Sequence, residues 1–278
     1  MNTSKILKII KIIIKYILFT PMAIFHKLTG VNDSYNDLIS FSRYFPFGRL
    51  FKNSSGSFKY KNKTVLFSYK GNRPLDFGVF ANNEYKHLTS VIDGAVVIDI
   101  GAATADTAIL FYLNGAKKVL GYELNKRQYE LAQHNVSINN LEEYINIQYC
   151  GGSAPPINRN DEILGAIMKD GDRDAISEAD FITLDQISSQ LPDGKCALKV
   201  DVDGYEYDIF DSVSIESLRK YETIFLEYHF GVKGLVKKLT KAGFLIETNE
   251  NPPVFIDRHP DKYKKMTVGY ILAKRVSL

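Results

Sequence analysis

The chain has 278 residues, of which 45% are hydrophobic and 24% charged, a balance that excludes a disordered protein and allows a sizeable core. Its formal net charge of +3 argues neither for nor against nucleic-acid binding. The two cysteines, Cys150 and Cys196, are too few for a disulfide scaffold. We expect both as buried thiols in a reducing compartment, without a bridge between them.

The N-terminal segment, residues 5–25, is rich in isoleucine and interrupted by lysines. Its longest uncharged stretch, residues 16–25, is too short to span a bilayer as a helix. On a helix, Lys8, Lys11 and Lys15 fall within about 60° of one another and form a basic stripe. Two interpretations stay open: a helix in a membrane interface with its lysines toward the headgroups, or a helix packed on protein. The interspersed lysines disfavour a signal peptide.

An extension and a β-hairpin are predicted next. Pro21 is expected to end the first helix. Residues 1–56 are interpreted as a helical and irregular extension, and residues 57–278 as the main domain. Apolar residues alternate with polar ones on both sides of a turn near 61–63, which is typical of a hairpin with one buried face. They are Phe58, Tyr60, Val65, Phe67 and Tyr69.

From residue 95 onward, apolar strands alternate with helices. Strands are predicted at residues 95–100, 119–123, 145–149, 197–202, 223–228, 244–247 and 267–273. Helices are predicted at 105–114, 126–139 with Asn125 as N-cap, 184–191 and 232–242. Residues 151–179 are interpreted as a long loop over the sheet edge. This order predicts an α/β fold, a Rossmann-like, doubly wound, seven-stranded and mostly parallel sheet whose last strand is antiparallel.

The first predicted strand runs into a turn of small residues. The stretch after Asp99 reads Ile-Gly-Ala-Ala-Thr-Ala, and small residues let a ligand approach the backbone closely. Glu123 ends the second strand, 24 positions after Asp99, where an acid accepts hydrogen bonds from ribose hydroxyls. The dinucleotide pattern G-x-G-x-x-G is absent, since only Gly101 is present, and Asp99 suits a cationic ligand better than a pyrophosphate. S-adenosylmethionine, with its sulfonium, ammonium and ribose, is therefore favoured over NAD.

The residues expected to line this donor pocket come from several strand ends. Such ends meet at one edge of a parallel sheet, where open α/β folds bind ligands. The donor is expected to lie across Gly101, with Glu123 on its ribose and Asp99 near its methionine moiety. The full predicted set is Asp99, Gly101, Ala103, Asp106, Thr107, Glu123, Leu124, Cys150, Gly151 and Asp201.

A second polar group follows the strands at 197–202 and 223–228. Asp201, Asp203, Glu206 and His229 are the candidate catalytic residues. Methylation of a hydroxyl requires alignment of the oxygen and removal of its proton. His229 or Asp201 is expected to be the base, the alternative being that alignment and desolvation suffice, and the 151–179 loop is expected to close over the acceptor. The aspartates at 170–174 lack the pattern of a calcium loop, and no metal site is predicted. The acids at the strand ends could also hold a metal, so whether the reaction needs one stays open.

Taken together, these motifs resemble those of the FkbM-type methyltransferases over roughly residues 77–275. Matching segments are Gly78-Val79-Phe80, Val97-Ile98-Asp99-Ile100-Gly101-Ala102, Asp106-Thr107, Gly115 to Glu123, His134-Asn135, Asn139-Asn140-Leu141, Thr183-Leu184-Asp185 and Leu198 to Glu206. The resemblance implies a Rossmann-like sheet, S-adenosylmethionine as cofactor, and O-methylation of a sugar, glycan or other small-molecule hydroxyl. Ala103 stands where many members have asparagine, and Asp203 stands where glutamate is common.

Other functions stay open at this point. They are methylation of nucleic acid or protein, binding of a nicotinamide dinucleotide, and a binding role without catalysis. The acids Asp99, Glu123 and Asp201 argue against the last. No recognisable RNA-binding module is present, so a nucleic-acid partner is not expected. We expect a cytoplasmic protein, peripheral on the membrane if residues 5–25 contact it, and the sequence does not indicate an oligomeric state.

Overall fold

The computed structural model describes residues 55–68, 78–81, 85–152, 180–250 and 267–276. The predicted helix at 5–25 and the loop at 153–179 lie outside these residues, and the domain boundary at residue 56 stays a prediction. The chain divides into two compact units, of which one contributes only the described helix Gly78–Ala81, with Val79 and Phe80 buried. All other described residues belong to the second unit.

The second unit contains ten strands and seven further helices within its described residues. The strands are β1 (Ser55–Tyr60), β2 (Lys63–Ser68), β3 (Val96–Ile100), β4 (Lys118–Glu123), β5 (Ile145–Gly151), β6 (Asp180–Phe181), β7 (Cys196–Val200), β8 (Thr223–Tyr228), β9 (Phe244–Glu250) and β10 (Gly269–Arg275). With Gly78–Ala81 as α1, the helices are α2 (Lys86–Thr89), α3 (Asp106–Leu113), α4 (Lys126–Ile138), α5 (Leu184–Ser189), α6 (Glu206–Ser212), α7 (Ile215–Leu218) and α8 (Lys233–Lys241). Among the described residues, none of these helices has the length and apolar character needed to cross a membrane.

The main sheet has eight strands in the order β6-β5-β4-β3-β7-β8-β10-β9. Its pairs are parallel except that β10 runs antiparallel to both β8 and β9. The predicted fold class is therefore confirmed, including the antiparallel last strand. The sheet has one strand more than predicted, because β6 is two residues long and too short to show any alternation in the sequence.

The strand order reverses beside β3. After β3 the chain builds β4, β5 and β6 on one side, then returns to place β7 on the other. In open α/β sheets a crevice for ligands forms at such a reversal, outside the carboxyl ends of the strands. All five residues of β3 and all five of β7 are buried, so these two strands give the crevice a rigid base.

Local signals explain the elements around the sheet. Asn125 caps α4 as predicted, since its side chain accepts a hydrogen bond from the backbone N–H of Gln128 at 3.1 Å. The predicted hairpin forms from β1 and β2, with Val65 and Phe67 buried. Both backbone polar groups of Leu66 bond the side chain of Asn139, at 2.8 and 2.6 Å, and these bonds attach the hairpin to the end of α4.

Candidate active site

The turn after β3 lies directly against the turn after β7. Gly101 adopts a φ of +79°, and a Cβ at this position would stand 1.9 Å from the carbonyl oxygen of Asp201. The backbone N–H of Asp201 in turn donates to the carbonyl of Ile100 at 3.1 Å. Only glycine fits here, because any side chain would push the two strand ends apart.

The turn continues through two alanines in the left-handed region. Ala103 has a φ of +45° and Ala105 a φ of +65°, conformations that are costly for residues with a Cβ. Such backbone persists only where its surroundings hold it firmly. The Glu123 carboxylate accepts the N–H of Ala103 at 2.7 Å, and the buried Asn135 side chain donates to the carbonyl of Thr104 at 2.9 Å.

Glu123 sits at the end of β4 with its carboxylate largely buried. Besides Ala103, it accepts the backbone N–H of Asn125 at 2.7 Å through its other oxygen. Burial raises the pKa of Glu123 to about 7, although both N–H bonds oppose that shift. Each carboxylate oxygen has a second lone pair, so the group still has acceptor capacity for hydroxyls.

Asp99 lies beneath the turn and not at its surface. Its carboxylate has no exposed area, forms an ion pair with the Lys199 ammonium at 3.0 Å, and accepts the Thr107 hydroxyl at 2.5 Å. Burial disfavours the charge on Lys199, but the carboxylates of Asp99 and Asp201 outweigh this and hold its pKa above the ordinary value. Lys199 is therefore a buried cation.

A histidine and two acids form the opposite side of the edge. Glu206, fully buried at the start of α6, accepts the backbone N–H of His229 at 2.8 Å, and its same oxygen lies 3.2 Å from His229 Nδ1. His229 Nε2 lies 3.6 Å from a carboxylate oxygen of the exposed Asp203. Burial disfavours protonation of His229, but its bond to Glu206 and the charges of Glu206, Asp203 and Asp201 raise its pKa to about 9.

Comparison with known proteins identifies the fold's family. The family model described as "Methyltransferase FkbM domain" matches residues 99–246, more than half of the chain. The chain belongs to the FkbM methyltransferase family. It is thus a methyltransferase of the S-adenosylmethionine-dependent type, as the motifs implied. No curated protein matches the chain in sequence.

Solved structures that resemble the FkbM domain have low sequence identity. A proposed rRNA methylase from Clostridium thermocellum is 8% identical over 70% of this chain and 95% of its own, with a TM-score of 0.46. A proposed S-adenosylmethionine-dependent methyltransferase from Listeria monocytogenes is 13% identical over 71% and 100%, with a TM-score of 0.42. TrmK from M. capricolum, in complex with S-adenosylhomocysteine, is 14% identical over 68% and 66%, with a TM-score of 0.40.

The FkbM domain brings most of the predicted site residues to one edge of the sheet. Gly101, Ala103 and Glu123 meet on the β3–β4 side, while Asp201, Asp203 and His229 meet on the β7–β8 side. The other predicted donor residues lie close to the ends of their elements. Asp106 and Thr107 are buried in the first turn of α3, Leu124 directly follows β4, and Cys150 and Gly151 end β5.

Two of the predicted site residues, Asp99 and Glu206, are fully buried and do not reach the surface of the sheet edge. The carboxylate of Asp99 contacts Lys199 and Thr107, so it supports the turn from below. Glu206 is a partner of His229 and of the Gly204 backbone N–H, which it accepts at 2.8 Å. The roles predicted for them, donor contact and catalysis, require an exposed carboxylate, which neither has in this structure.

The sequence analysis missed two residues of the site. Lys199 was visible as a lone charge in an otherwise apolar strand, but its partner was unknown without the sheet order. Tyr85 precedes α2 in a stretch with weak patterning, and its hydroxyl donates to Asp201 at 3.4 Å. Its ring packs against Phe111 and Phe225, which fixes the hydroxyl beside the strand end.

A metal ligand set is also present at this edge. Asp201, Glu227 and His229 each offer one ligand atom, and these atoms lie within 4.8 Å of one another in the described part of the chain. Two carboxylates and an imidazole suit a divalent cation. The positive charge favoured on His229 by Glu206 competes with such an ion, since a metal ligand must be deprotonated.

Proposed function

We propose that this protein transfers the methyl group of S-adenosylmethionine to a hydroxyl of a sugar, glycan or other small molecule. The observation that carries the proposal is the pairing of two sites on one sheet edge. On one side lie the turn at Gly101 and the carboxylate of Glu123, which can accept hydrogen bonds from ribose hydroxyls. On the other side lies His229, whose ring orientation is fixed. Methyl transfer needs both a donor pocket and a group that manages the acceptor proton.

The residues on the first side fit the chemistry of the donor. Glu123 offers carboxylate acceptors for the ribose hydroxyls, and Gly101 lets the backbone approach a ligand without a side chain in between. Asp201, whose side chain is 28% exposed, provides a negative charge for the cationic methionine moiety. When bound, S-adenosylmethionine supplies an electrophilic methyl group on its sulfonium.

His229 is the proposed base of the second side. Glu206 lies against Nδ1, so it favours a proton on that nitrogen and leaves Nε2 as the atom that takes a proton from an acceptor hydroxyl. Because the pKa of His229 is about 9, only a few per cent of the protein carries the neutral ring at pH 7.5. Proton removal therefore becomes more effective as the pH rises toward 9. Asp201 is the alternative base.

Transfer of label to fractionated cell material tests the acceptor class. The full-length protein and a His229→Ala variant are incubated with methyl-labelled S-adenosylmethionine and with separate small-molecule, glycan, RNA and protein fractions. We expect label in the small-molecule or glycan fraction, in a linkage stable to mild base as an ether is, and much less label with the variant. Label confined to RNA or protein would overturn the proposed acceptor, and no label in any fraction would overturn the activity.

A further inference from the structure

The feature that the proposed mechanism leaves unused is the buried ammonium of Lys199. This side chain of β7 is 1% exposed and reaches across to the end of β3. Its Nζ lies 3.0 Å from the Asp99 carboxylate and 2.7 Å from the carbonyl oxygen of Gly101, with the Asp201 carboxylate at 3.9 Å. A buried ammonium is costly unless it is paired, so its position at this turn calls for a role.

The hydrogen bond to Gly101 fixes the direction of one peptide group. The amide between Gly101 and Ala102 is planar, so its carbonyl and its N–H point in opposite directions. The ammonium of Lys199 donates to the carbonyl of Gly101 and so fixes its direction. On the other side, the N–H of Ala102 donates to the carbonyl of Tyr122 at 3.1 Å. The peptide is held between β7 and β4, the two neighbours of β3.

The residues that follow need such support. Ala103 and Ala105 both have positive φ, and a turn with this strain relaxes when its anchors are removed. Three side chains anchor it: Lys199 at the Gly101 carbonyl, Glu123 at the Ala103 N–H, and Asn135 at the Thr104 carbonyl. Of the three, Lys199 alone carries a positive charge and joins the turn to β7.

We propose that Lys199 is a positioning residue that holds the Gly101–Ala105 turn in its ligand-ready conformation. This inference rests on the proposed function, which places the methyl donor at that turn. Without Lys199 the turn has to be ordered when the donor binds, and that ordering reduces affinity. Lys199 itself touches neither the donor nor the acceptor in this account, and it acts through the backbone of Gly101.

The test compares Lys199 variants with a control variant that is destabilised elsewhere in the fold. Lys199→Met removes the ammonium but leaves Asp99 buried and unpaired, so the double variant Asp99→Asn/Lys199→Met is made beside it to avoid an uncompensated charge. Leu239→Ala, at a fully buried position of α8, is the control for general destabilisation. Thermal unfolding identifies the variants that fold, and calorimetry with S-adenosylhomocysteine measures their affinity.

We expect the Lys199 variants to bind S-adenosylhomocysteine about tenfold or more weakly than the wild-type protein, because apparent affinity falls in proportion to the ligand-ready population and that population is expected to fall to about a tenth. Leu239→Ala should keep wild-type affinity. In the absence of ligand, hydrogen exchange at the amides of Ala102 and Ala103 should be faster in the Lys199 variants and unchanged in the control. Faster exchange separates loss of the turn from simple loss of stability.

Three outcomes overturn the inference, and they separate its failure from that of the proposed function. If the wild-type protein binds S-adenosylhomocysteine and the folded Lys199 variants bind it equally well, Lys199 is only a structural ion-pair partner and the proposed function survives. The same conclusion follows if exchange at Ala102 and Ala103 matches that of the control. If the wild-type protein fails to bind, the proposed function is wrong, and the positioning role proposed for Lys199 is wrong with it.

Discussion

Replacing Glu123 is expected to weaken donor binding by about 10- to 100-fold. The carboxylate already holds the Ala103 and Asn125 N–H groups, each at 2.7 Å, and offers its remaining lone pairs to the ribose. A hydrogen bond to a charged group contributes about 1.5–3 kcal/mol. Since about 1.4 kcal/mol corresponds to tenfold in affinity, losing one such bond gives this range. Glu123→Ala removes the bond, and Glu123→Gln keeps the shape but not the charge.

The pKa of Glu123 adds a pH dependence to this prediction. With a pKa of about 7, roughly a tenth of the carboxyl groups are ionised at pH 6 and nine tenths at pH 8. Donor affinity should therefore rise about tenfold between these pH values in the wild-type protein, and less in Glu123→Gln. Folding responds with the opposite sign. A carboxyl whose folded pKa is raised contributes most to stability below its unfolded pKa of about 4.3, and this contribution is lost as the pH rises through 7.

Calorimetric titration with S-adenosylhomocysteine at pH 6, 7 and 8 checks both effects. Glu130→Gln, at an exposed position of α4, is the matched control and should behave as the wild-type protein does. Equal affinity for the wild-type protein and both Glu123 variants at pH 8 would show that this carboxylate does not contact the ligand. An affinity of the wild-type protein that is independent of pH would contradict the expected link between the ionisation of Glu123 and donor binding.

Three further predictions concern the acceptor side and the N-terminal segment. Single-turnover methylation should accelerate as the pH rises toward 9, and His229→Ala should lower it by about 10²–10⁴-fold; a wild-type rate in the variant at saturating donor would remove His229 from the reaction. Because the charge on His229 competes with a cation, turnover should survive treatment with EDTA, whereas a loss restored by Mn²⁺ would make the three-ligand cluster a metal site. In the membrane interpretation the full chain should sediment with anionic vesicles, and Lys8→Gln/Lys11→Gln/Lys15→Gln should weaken this by about 1 kcal/mol per lysine. Failure of the wild-type chain to sediment with the vesicles would favour packing on protein.

The order of strands and helices was predictable because each element carries its own period or cap. The apolar β3, interrupted only by Asp99, the N-cap Asn125 and the alternating hairpin residues Val65 and Phe67 are local signals, and the structure confirms all three. The helices α6 and α7 and the strand β6 were not predicted, since seven, four and two residues are too few for a clear period.

The depth of each acid at the sheet edge was not predictable from local sequence. Asp99 and Lys199 are direct partners in the parallel register of β3 and β7, two strands separated by about 100 residues. Their pairing follows from the strand order, and only that order shows that the Asp99 carboxylate is buried against a cation. In the same way, Glu206 contacts His229 because α6 packs beside the end of β8. The spacing of these residues in the sequence does not indicate that contact.

The central claim, that the methyl donor binds at the turn after β3, is tested most directly by calorimetry with S-adenosylhomocysteine on two glycine variants. Gly101→Ala would place a Cβ 1.9 Å from the Asp201 carbonyl oxygen, whereas Gly94→Ala at a similar φ of +71° meets nothing within 4 Å. Both variants carry the backbone strain of a positive φ, and only the first disturbs the two strand ends. We predict one binding site in the wild-type protein and in Gly94→Ala, and loss of binding in a folded Gly101→Ala. Wild-type affinity in Gly101→Ala, or no binding by the wild-type protein, would contradict the account.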